Sequence, residues 1–522
     1  MNMIPKIDLD QPRSEYVLDA PYTWSYFEYQ NPLLMSFIAR LNGFRMPSLN
    51  EPFTYCDLGC GNGVSVNLLA SSFPQGQFYG VDFNSEHIEN AQRIADKAGL
   101  TNVTFIDASF EQYEQSAPPQ FDYIAMHGIY SWVGEEIREQ IRRLVDLTLK
   151  PGGLVYLCYN TLPGWSELIP LWKMIQGYTA HLPVDSLTKA RIGLENMAFL
   201  RDQGTRYFTE TPAASRYLDR LLERDIHYVA HEFCNGCFEP QYFMDVANGF
   251  KEFGLDYAGT MKIHRNDMHN IISSRYHAHL EAAPNALERE SRASFIRNEF
   301  FRRDLYIRDG ERLEGAEAAT LIENTIVGAN TTQADLDRKL DLGRKSVDLE
   351  TSFNPDLLKL AASGSYTIAE LMNHSILEGV DPAEIKNRVI DLLGGYQIQP
   401  LAKKVSTLAP NISGTFELCS SVNRVLMEER LIAEEKTYVE SAVMGSAIRL
   451  NFVNGLLVLA LHGRTIEQAI AHVVEQISRL KDEKQAHLAT TENLADWVRK
   501  KTRKFVDHKL PVLLKYEILK SI

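Results

Sequence analysis

Three glycines at alternate positions follow a short apolar run in the first part of the chain. Residues 53–63 read FTYCDLGCGNG, with Gly59, Gly61 and Gly63 directly behind Asp57. Glycine lets the backbone turn sharply and lets a ligand approach to contact distance. The segment therefore predicts a strand that ends in a loop built to hold a nucleotide-like group, with a helix behind it.

The spacing of these glycines indicates which group the loop holds. GxGxG differs from the GxGxxG of dinucleotide-binding folds, in which the helix N-terminus receives a pyrophosphate. S-adenosylmethionine has no phosphate, but its aminoacyl part carries an ammonium that Asp57 could hold directly or through water. The motif therefore favours S-adenosylmethionine as the cofactor.

Two further strand-like runs end in acids. FYGVD ends in Asp82, one strand-helix unit after the glycine loop, and Phe83 follows it. An acid at that position can bind both ribose hydroxyls. VTFID ends in Asp107, followed by Ala108, and a carboxylate there can accept from the adenine amino group. We expect these four residues to complete the cofactor site.

The elements that position these residues alternate regularly. Strand-like runs at 121–126 and 154–159 follow the first three, and helical patterns at 85–98 and 135–149 separate them. Strands that alternate with helices predict an α/β protein with a doubly wound, Rossmann-like parallel sheet. Ligands of such sheets bind at the carboxyl ends of the strands, where the three acids lie.

Aromatic residues beside this edge are candidates for acceptor binding. After the fourth strand the chain reads HGIYSW, and we expect His127, Tyr130 and Trp132 to lie at the methyl-transfer end of the cleft. Tyr22 belongs to an upstream aromatic cluster that could close over the cofactor. Tyr22, Tyr130 and Trp132 are expected to orient an acceptor amine by cation-π contact, and His127 to contact the cofactor and relay a proton. Phe27, in the same cluster, is expected to pack the first helix onto the sheet.

The sheet is interrupted after its fifth strand. Helical patterns at 171–181, 184–203 and 213–224 occupy the place of the next helix and strand pair. A helix at 241–253 and a strand at 255–261 resume the expected order. The sequence therefore predicts an inserted helical cap, and a last strand near 304–308 closes the catalytic domain.

The C-terminal third is helical by pattern. Residues 367–377 and 382–393 predict two helices and 396–401 a strand, an order like half of a winged helix. These signals divide the chain into a catalytic domain (1–161), an inserted cap or dimerisation segment (162–230), the last catalytic helix and strands with a regulatory region (231–310), a winged-helix-like middle domain (311–405) and a mainly helical C-terminal domain (406–522).

Composition excludes several classes of partner. The chain of 522 residues has 54 Lys and Arg against 68 Asp and Glu, a net charge of -14, which disfavours tight binding to nucleic acid or anionic lipid. Six cysteines are few and fit a reducing cytoplasm. Cys234 and Cys237 lack two further ligands at zinc-like spacing, so no metal is expected. We expect a cytoplasmic protein without an export signal or a stable membrane insertion.

The motifs as a set resemble those of a known family. The order of DLGCGNG, FYGVD, VTFIDA, FDYIAMH and LKPGGLVYL is similar to that in class I S-adenosylmethionine-dependent methyltransferases. HGIYSW, YNTLPGW and HEF followed by PQYF resemble the bacterial methyltransferases with a regulatory region, whose best-known members are the rickettsial protein-lysine methyltransferases.

This resemblance implies methyl transfer to a protein lysine. It also implies that the inserted segment forms a homodimer and that the later domains govern access or substrate. Two alternatives stay open at this point: a small-molecule O- or N-methyltransferase, and a non-catalytic module that binds S-adenosylmethionine. The intact acids Asp57, Asp82 and Asp107 argue against the second.

Overall fold

The computed structural model describes residues 17, 19, 23–405, 412–480, 488 and 493–522, and a mixed sheet lies at its centre. The strands of this sheet are β1 (Phe53–Leu58), β2 (Gly76–Asp82), β3 (Val103–Asp107), β4 (Phe121–Met126), β5 (Leu149–Leu162), β6 (Gln241–Tyr242), β7 (Leu255–Thr260) and β8 (Phe301–Arg308). Their order is β3-β2-β1-β4-β5-β8-β7, and β6 pairs with the end of β5. β8 runs antiparallel to β5 and β7, while the other neighbours are parallel. The predicted α/β sheet is confirmed.

Helices cover both faces of this sheet. Up to residue 310 they are α1 (Pro32–Leu41), α2 (Val64–Ser72), α3 (Ser85–Ala98), α4 (Phe110–Gln115), α5 (Glu135–Thr148), α6 (Ile169–Thr179), α7 (Ser186–Asp202), α8 (Arg206–Glu210), α9 (Pro212–Leu222), α10 (Ile226–Phe233), α11 (Phe243–Lys251), α12 (Met268–Ile271), α13 (His277–Glu281) and α14 (Ala286–Ile296). α1, α2 and α3 share a buried cluster with one face of the sheet, and α4, α5 and α11 share one with the other.

Alternate residues of the strands face these two clusters. Tyr123 and Ala125 of β4 belong to the first cluster, and Ile124 and Met126 to the second. Strands buried on both faces read as near-continuous apolar runs, which is why the sequence signal for β4 and β5 was strong. The sheet edge at the carboxyl ends of the parallel strands is left for the site.

Helices α6 to α10 lie between β5 and β6, where the sequence predicts an insertion. They bury a cluster of their own, which includes Trp172, Leu194, Leu218 and Phe233. Trp132 belongs to the same cluster, so the inserted helices pack directly against the loop after β4. The insert is therefore part of the wall around the carboxyl edge of the sheet.

A smaller, winged-helix-like unit follows. Its elements are α15 (Gly315–Glu323), β9 (Ile326–Gly328), β10 (Lys339–Asp341), β11 (Ser346–Asp348), α16 (Asn354–Ser363), β12 (Tyr366–Thr367), α17 (Ile368–Met372), α18 (Pro382–Gly394) and β13 (Gln399–Pro400). β12, β9 and β13 form its three-stranded sheet. The helix expected over 367–377 is shorter, because α17 ends at Met372 and a separate 3-10 turn covers Ser375–Leu377.

The C-terminal unit is mainly helical, as predicted. It contains β14 (Phe416–Leu418), α19 (Ser421–Glu434), β15 (Lys436–Ser441), β16 (Ser446–Asn451), α20 (Phe452–Leu461), α21 (Ile466–Ser478), α22 (Leu494–His508), α23 (Leu510–Lys515) and β17 (Leu519–Ser521). Among the helices that the structure describes, none has the length and apolarity required to span a membrane.

This C-terminal unit packs onto the helices beside the glycine loop. Ser71 and Ser72 at the end of α2 donate to the Glu440 carboxylate at 2.7 and 2.9 Å. Arg93 and Lys97 of α3 pair with Glu429 of α19. The cofactor side of the catalytic domain is therefore covered by the last domain of the chain.

Candidate active site

The glycine loop between β1 and α2 adopts the conformation that its sequence predicts. Gly59, Gly61 and Gly63 have φ of +78°, +54° and +65°, in the left-handed region that favours glycine. A Cβ on Gly59 would lie 2.1 Å from Cδ1 of Ile129, and one on Gly63 would lie 2.4 Å from Cβ of Ala91. The loop is therefore closely packed against the β4 loop and α3, and larger residues would push it out of place.

Asp82, at the end of β2, is held in a fixed orientation. Its carboxylate accepts from the backbone N–H of Gly61 at 2.8 Å and from that of Asn84 at 2.9 Å. Each carboxylate oxygen can accept a second hydrogen bond. The side chain is thus oriented by its own loop while it keeps capacity to bind two hydroxyl groups.

A cavity of about 310 Å³ opens beside Asp82. Its mainly apolar wall includes Gly59, Gly61, Phe83, Asn84, His87, Ala108, Ser109, Phe110, His127, Gly128, Ile129, Trp132, Val133 and Ile137. Asp107 ends β3 as predicted but is exposed and lies outside this lining. Its neighbours Ala108 to Phe110 face the cavity instead, and the expected contact of Asp107 with the adenine amino group stays a prediction.

Asp57 faces a second, narrower space. A recess of about 10 Å³ is lined by Asp57, Gly59 and His127, together with Thr23, Ser25, Phe27 and Gln30 of the N-terminal segment. Gln30 donates from Nε2 to Asp57 Oδ1 at 2.9 Å. Burial raises the pKa of Asp57 to about 8; the Gln30 hydrogen bond opposes this rise, and the charge of Asp82 adds to it. The recess therefore contains an acid that a bound cation would ionise.

His127 borders both spaces. Its Nδ1 lies 2.9 Å from the Tyr156 hydroxyl, and its ring stacks on Phe27 with centroids 3.9 Å apart. Burial, and then the charge of Arg303, lower the pKa of His127 to about 3. The imidazole is consequently neutral at physiological pH and is too weak a base to remove a proton from an amine, contrary to the expected relay.

The aromatic candidates separate into two groups. Trp132 lines the cavity and stacks on Phe238 at 4.6 Å. Tyr130 is only 2% exposed, lies outside both linings and receives a hydrogen bond from Arg142 at 3.0 Å. This placement corrects the expectation for Tyr130, because its ring faces the α5 and α11 side of the sheet. Tyr22 lies outside the described residues.

Two side chains that were not predicted as site residues line the recess. Phe27, expected to be packing only, lines the recess and stacks on His127. Gln30 reaches Asp57 from a 3-10 turn (Glu28–Gln30) and carried no sequence signal.

One further acid lies in the last turn of α10, outside the linings of both spaces. Glu232 is partly buried and makes no hydrogen bond or ion pair with any residue that the structure describes. Burial raises the pKa of Glu232 to about 8. It interacts electrostatically with Cys158, whose sulfur accepts from the Gly128 N–H at 3.1 Å, and with Tyr217 and Tyr228 of the insert. Its only sequence signal was its place in the HEF motif.

The two spaces together match the parts of one ligand. The larger one offers apolar walls and an oriented carboxylate, as a purine and ribose need, and the recess beyond His127 offers an acid for an ammonium. The donors and acceptors of the described residues thus fit S-adenosylmethionine.

Comparisons with known proteins also indicate a methyltransferase. A family model for a methyltransferase domain matches residues 49–182, and one for a predicted methyltransferase regulatory domain matches 225–308. The uncharacterized protein sll1526 of Synechocystis sp. is 30% identical over 447 residues, which cover 85% of this chain and 87% of that protein. RP789 of Rickettsia prowazekii, also uncharacterized, is 25% identical over 375 residues, 69% of this chain and 66% of that protein.

One solved structure matches nearly the whole chain. PKMT2 from Rickettsia typhi, in complex with AdoHcy, superimposes with a TM-score of 0.74 at 21% identity, covering 95% of this chain and 99% of that one. The shared fold thus includes the insert and the two later domains as well as the central sheet.

Proposed function

Because the chain belongs to the S-adenosylmethionine-dependent methyltransferases that carry a regulatory domain, we propose that it methylates the side-chain amine of a protein lysine. S-adenosylmethionine supplies a methyl group bound to a positively charged sulfur. Asp82 would hold the ribose hydroxyls, and Asp57 the ammonium. Phe83, Ala108 and Phe110 would contact the purine.

Glu232 is the observation that carries the choice of an amine. An arriving cation would favour the ionised form of Glu232. The nearby rings of Tyr217 and Tyr228 already contact Arg220 and Arg224, so they are not offered to the acceptor. The acid lies on inserted helix α10, within electrostatic range of Cys158, whose sulfur accepts from the Gly128 N–H after β4.

The raised pKa of Glu232 also suits proton removal. A lysine ammonium, with a pKa near 10.4, must lose a proton before its nitrogen can attack. Transfer to an ordinary glutamate would be unfavourable by about 8 kcal/mol. The raised pKa of Glu232 lowers this cost, to no less than about 3 kcal/mol, because the arriving ammonium itself favours the ionised acid. Glu232 is therefore the proton acceptor in this proposal, and Trp132 contributes an aromatic wall.

His127 has a different role. Its neutral ring adds no second positive charge beside a cationic sulfur, and its contacts with Tyr156 and Phe27 fix its orientation. In an in-line displacement, positioning of the reacting atoms supplies much of the rate enhancement. His127 would thus help to hold the shape of the methyl-transfer region without adding a charge to it.

We expect the inserted helices to contact two kinds of partner, a protein substrate and a second copy of the chain. Tyr178, Val184 and Phe199 of this region are exposed, Phe199 by 62%. These apolar side chains are accessible to a partner chain. We expect Phe199→Glu to shift the chain towards the monomer in light scattering if the insert forms the dimer.

The acceptor class is tested with labelled cofactor. Purified protein is incubated with methyl-labelled S-adenosylmethionine and a cell lysate separated into protein and metabolite fractions. Label recovered as methyl-lysine after hydrolysis of the protein fraction is the expected result. Glu232→Gln should abolish most of this label, whereas Glu223→Gln, an exposed acid at the end of α9, should not. Label found only in metabolites would contradict the proposal.

A further inference from the structure

The segment that closes the recess also faces the last domain of the chain. We call residues 23–31 the strap. Along its extended first part the side chains alternate: Thr23, Ser25 and Phe27 line the recess. Trp24 and Tyr26, between them, are buried with 7% and 8% exposure. Extended backbone places successive side chains on opposite sides, so the strap has an inner and an outer face.

The outer face is held by the C-terminal domain. The Arg430 guanidinium lies 4.0 Å from the ring centroid of Trp24, and the Tyr438 ring lies 6.0 Å from that of Tyr26. Asn31, at the end of the strap, donates to the Gly445 carbonyl at 2.6 Å. α19, β15 and the β15–β16 turn thus each contribute a contact.

The inner face contacts mainly the catalytic domain, although Lys436 of β15 also donates to Ser25 Oγ at 3.3 Å. The Phe27 N–H donates to Ser65 Oγ at 3.0 Å, and Gln30 donates to Asp57. These contacts place the strap across the methionine end of the cofactor site, while the larger cavity has no lining residue from the strap. The methionine end of the cofactor site is therefore lined in part by the strap, whereas the purine end is not.

We propose that the C-terminal domain positions the strap through Arg430 and Tyr438, and so sets how tightly the methionine part of the cofactor is held. Arg430 is a positioning residue, since it acts on the recess only through Trp24. The inference rests on the cofactor and not on the lysine acceptor, so it stands or falls separately from the proposed substrate.

Two ligands distinguish the ends of the site. S-adenosylhomocysteine occupies both, whereas 5′-methylthioadenosine lacks the aminoacyl part. A cation-π contact to a buried tryptophan corresponds to roughly a three- to thirtyfold change in affinity. Calorimetry on the full chain should show Arg430→Ala binding S-adenosylhomocysteine about tenfold more weakly, with methylthioadenosine affinity within twofold of the original.

Arg424→Ala is the matched control, because Arg424 is exposed on the same helix. It should change neither affinity. Trp24→Leu should reproduce the Arg430→Ala pattern, and the double variant should be no weaker than the single ones, since both remove the same contact. Retained methylthioadenosine binding shows that the variants are folded. Equal weakening of both ligands, or no weakening of either, would overturn the proposal.

Discussion

Replacing Glu232 by glutamine tests its burial and its role in the same preparation. Burial raises the pKa of Glu232 from 4.5 to about 8. A group whose pKa is higher in the folded than in the unfolded chain binds more protons when folded. Stability is therefore lost as the pH rises from about 4.5 to about 8, and the loss is complete above that.

The size of this effect follows from the two pKa values. At about 1.36 kcal/mol per pH unit, the difference corresponds to at most about 5 kcal/mol above pH 8. Because the side chain keeps some solvent contact, we expect about half of this. For a catalytic domain of about 300 residues, 1 kcal/mol shifts the melting temperature by about 1.6 °C, so the expected gain is about 4 °C.

Glutamine cannot ionise, so Glu232→Gln should melt near the wild-type temperature at pH 5 and about 4 °C higher at pH 9. Turnover with a protein acceptor should nevertheless fall by at least about a hundredfold, since general-base catalysis contributes about 10² to 10⁴. Glu223→Gln, melted and assayed in parallel, should change neither quantity.

Two outcomes would refute this reasoning. An equal change in melting temperature at pH 5 and pH 9 would show that the Glu232 carboxylate is not destabilised by burial. A pH-dependent stability gain with unchanged turnover would confirm the burial but remove Glu232 from the acceptor site. Stability gained at the expense of activity is typical of functional groups.

Three other variants test the placement of Asp57, Asp82 and Tyr130. Asp57, with its pKa of about 8, must ionise to hold an ammonium. The affinity for S-adenosylhomocysteine should therefore rise by up to about tenfold per pH unit from pH 6 to 8. Asp57→Asn should bind this ligand weakly in calorimetry, with an affinity that does not change over the same pH range. Asp82→Ala should weaken S-adenosylhomocysteine binding by about ten- to a hundredfold in titration calorimetry, and unchanged affinity would contradict its ribose role. Tyr130→Ala should destabilise the fold by about 3 to 5 kcal/mol in denaturant titration and leave turnover per folded molecule normal. Reduced turnover without destabilisation would instead show that Tyr130 acts in the cleft.

Residues whose role depends on local geometry were predictable from the sequence. Gly59, Gly61 and Gly63 must accept positive φ, and Asp57 and Asp82 end strands whose partners follow from the α/β order. In these cases the backbone alone decides where the side chain lies.

Residues placed by distant parts of the chain were not predictable. Tyr130 and Trp132 are two positions apart in an irregular loop, which has no fixed period to show that one faces the core and the other the cavity. Gln30 reaches Asp57 from a 3-10 turn, and Glu232 lies on an inserted helix. Composition and periodicity contain no information on such contacts.

The position of β8 in the sheet has a consequence for synthesis. β8 lies beside β5 in space but begins at Phe301, 139 residues after β5 ends at Leu162. At about 5 to 20 residues per second, a ribosome needs roughly 7 to 28 s to make the residues between them. During that time one side of β5 offers unpaired N–H and C=O groups, which is the kind of edge that aggregates.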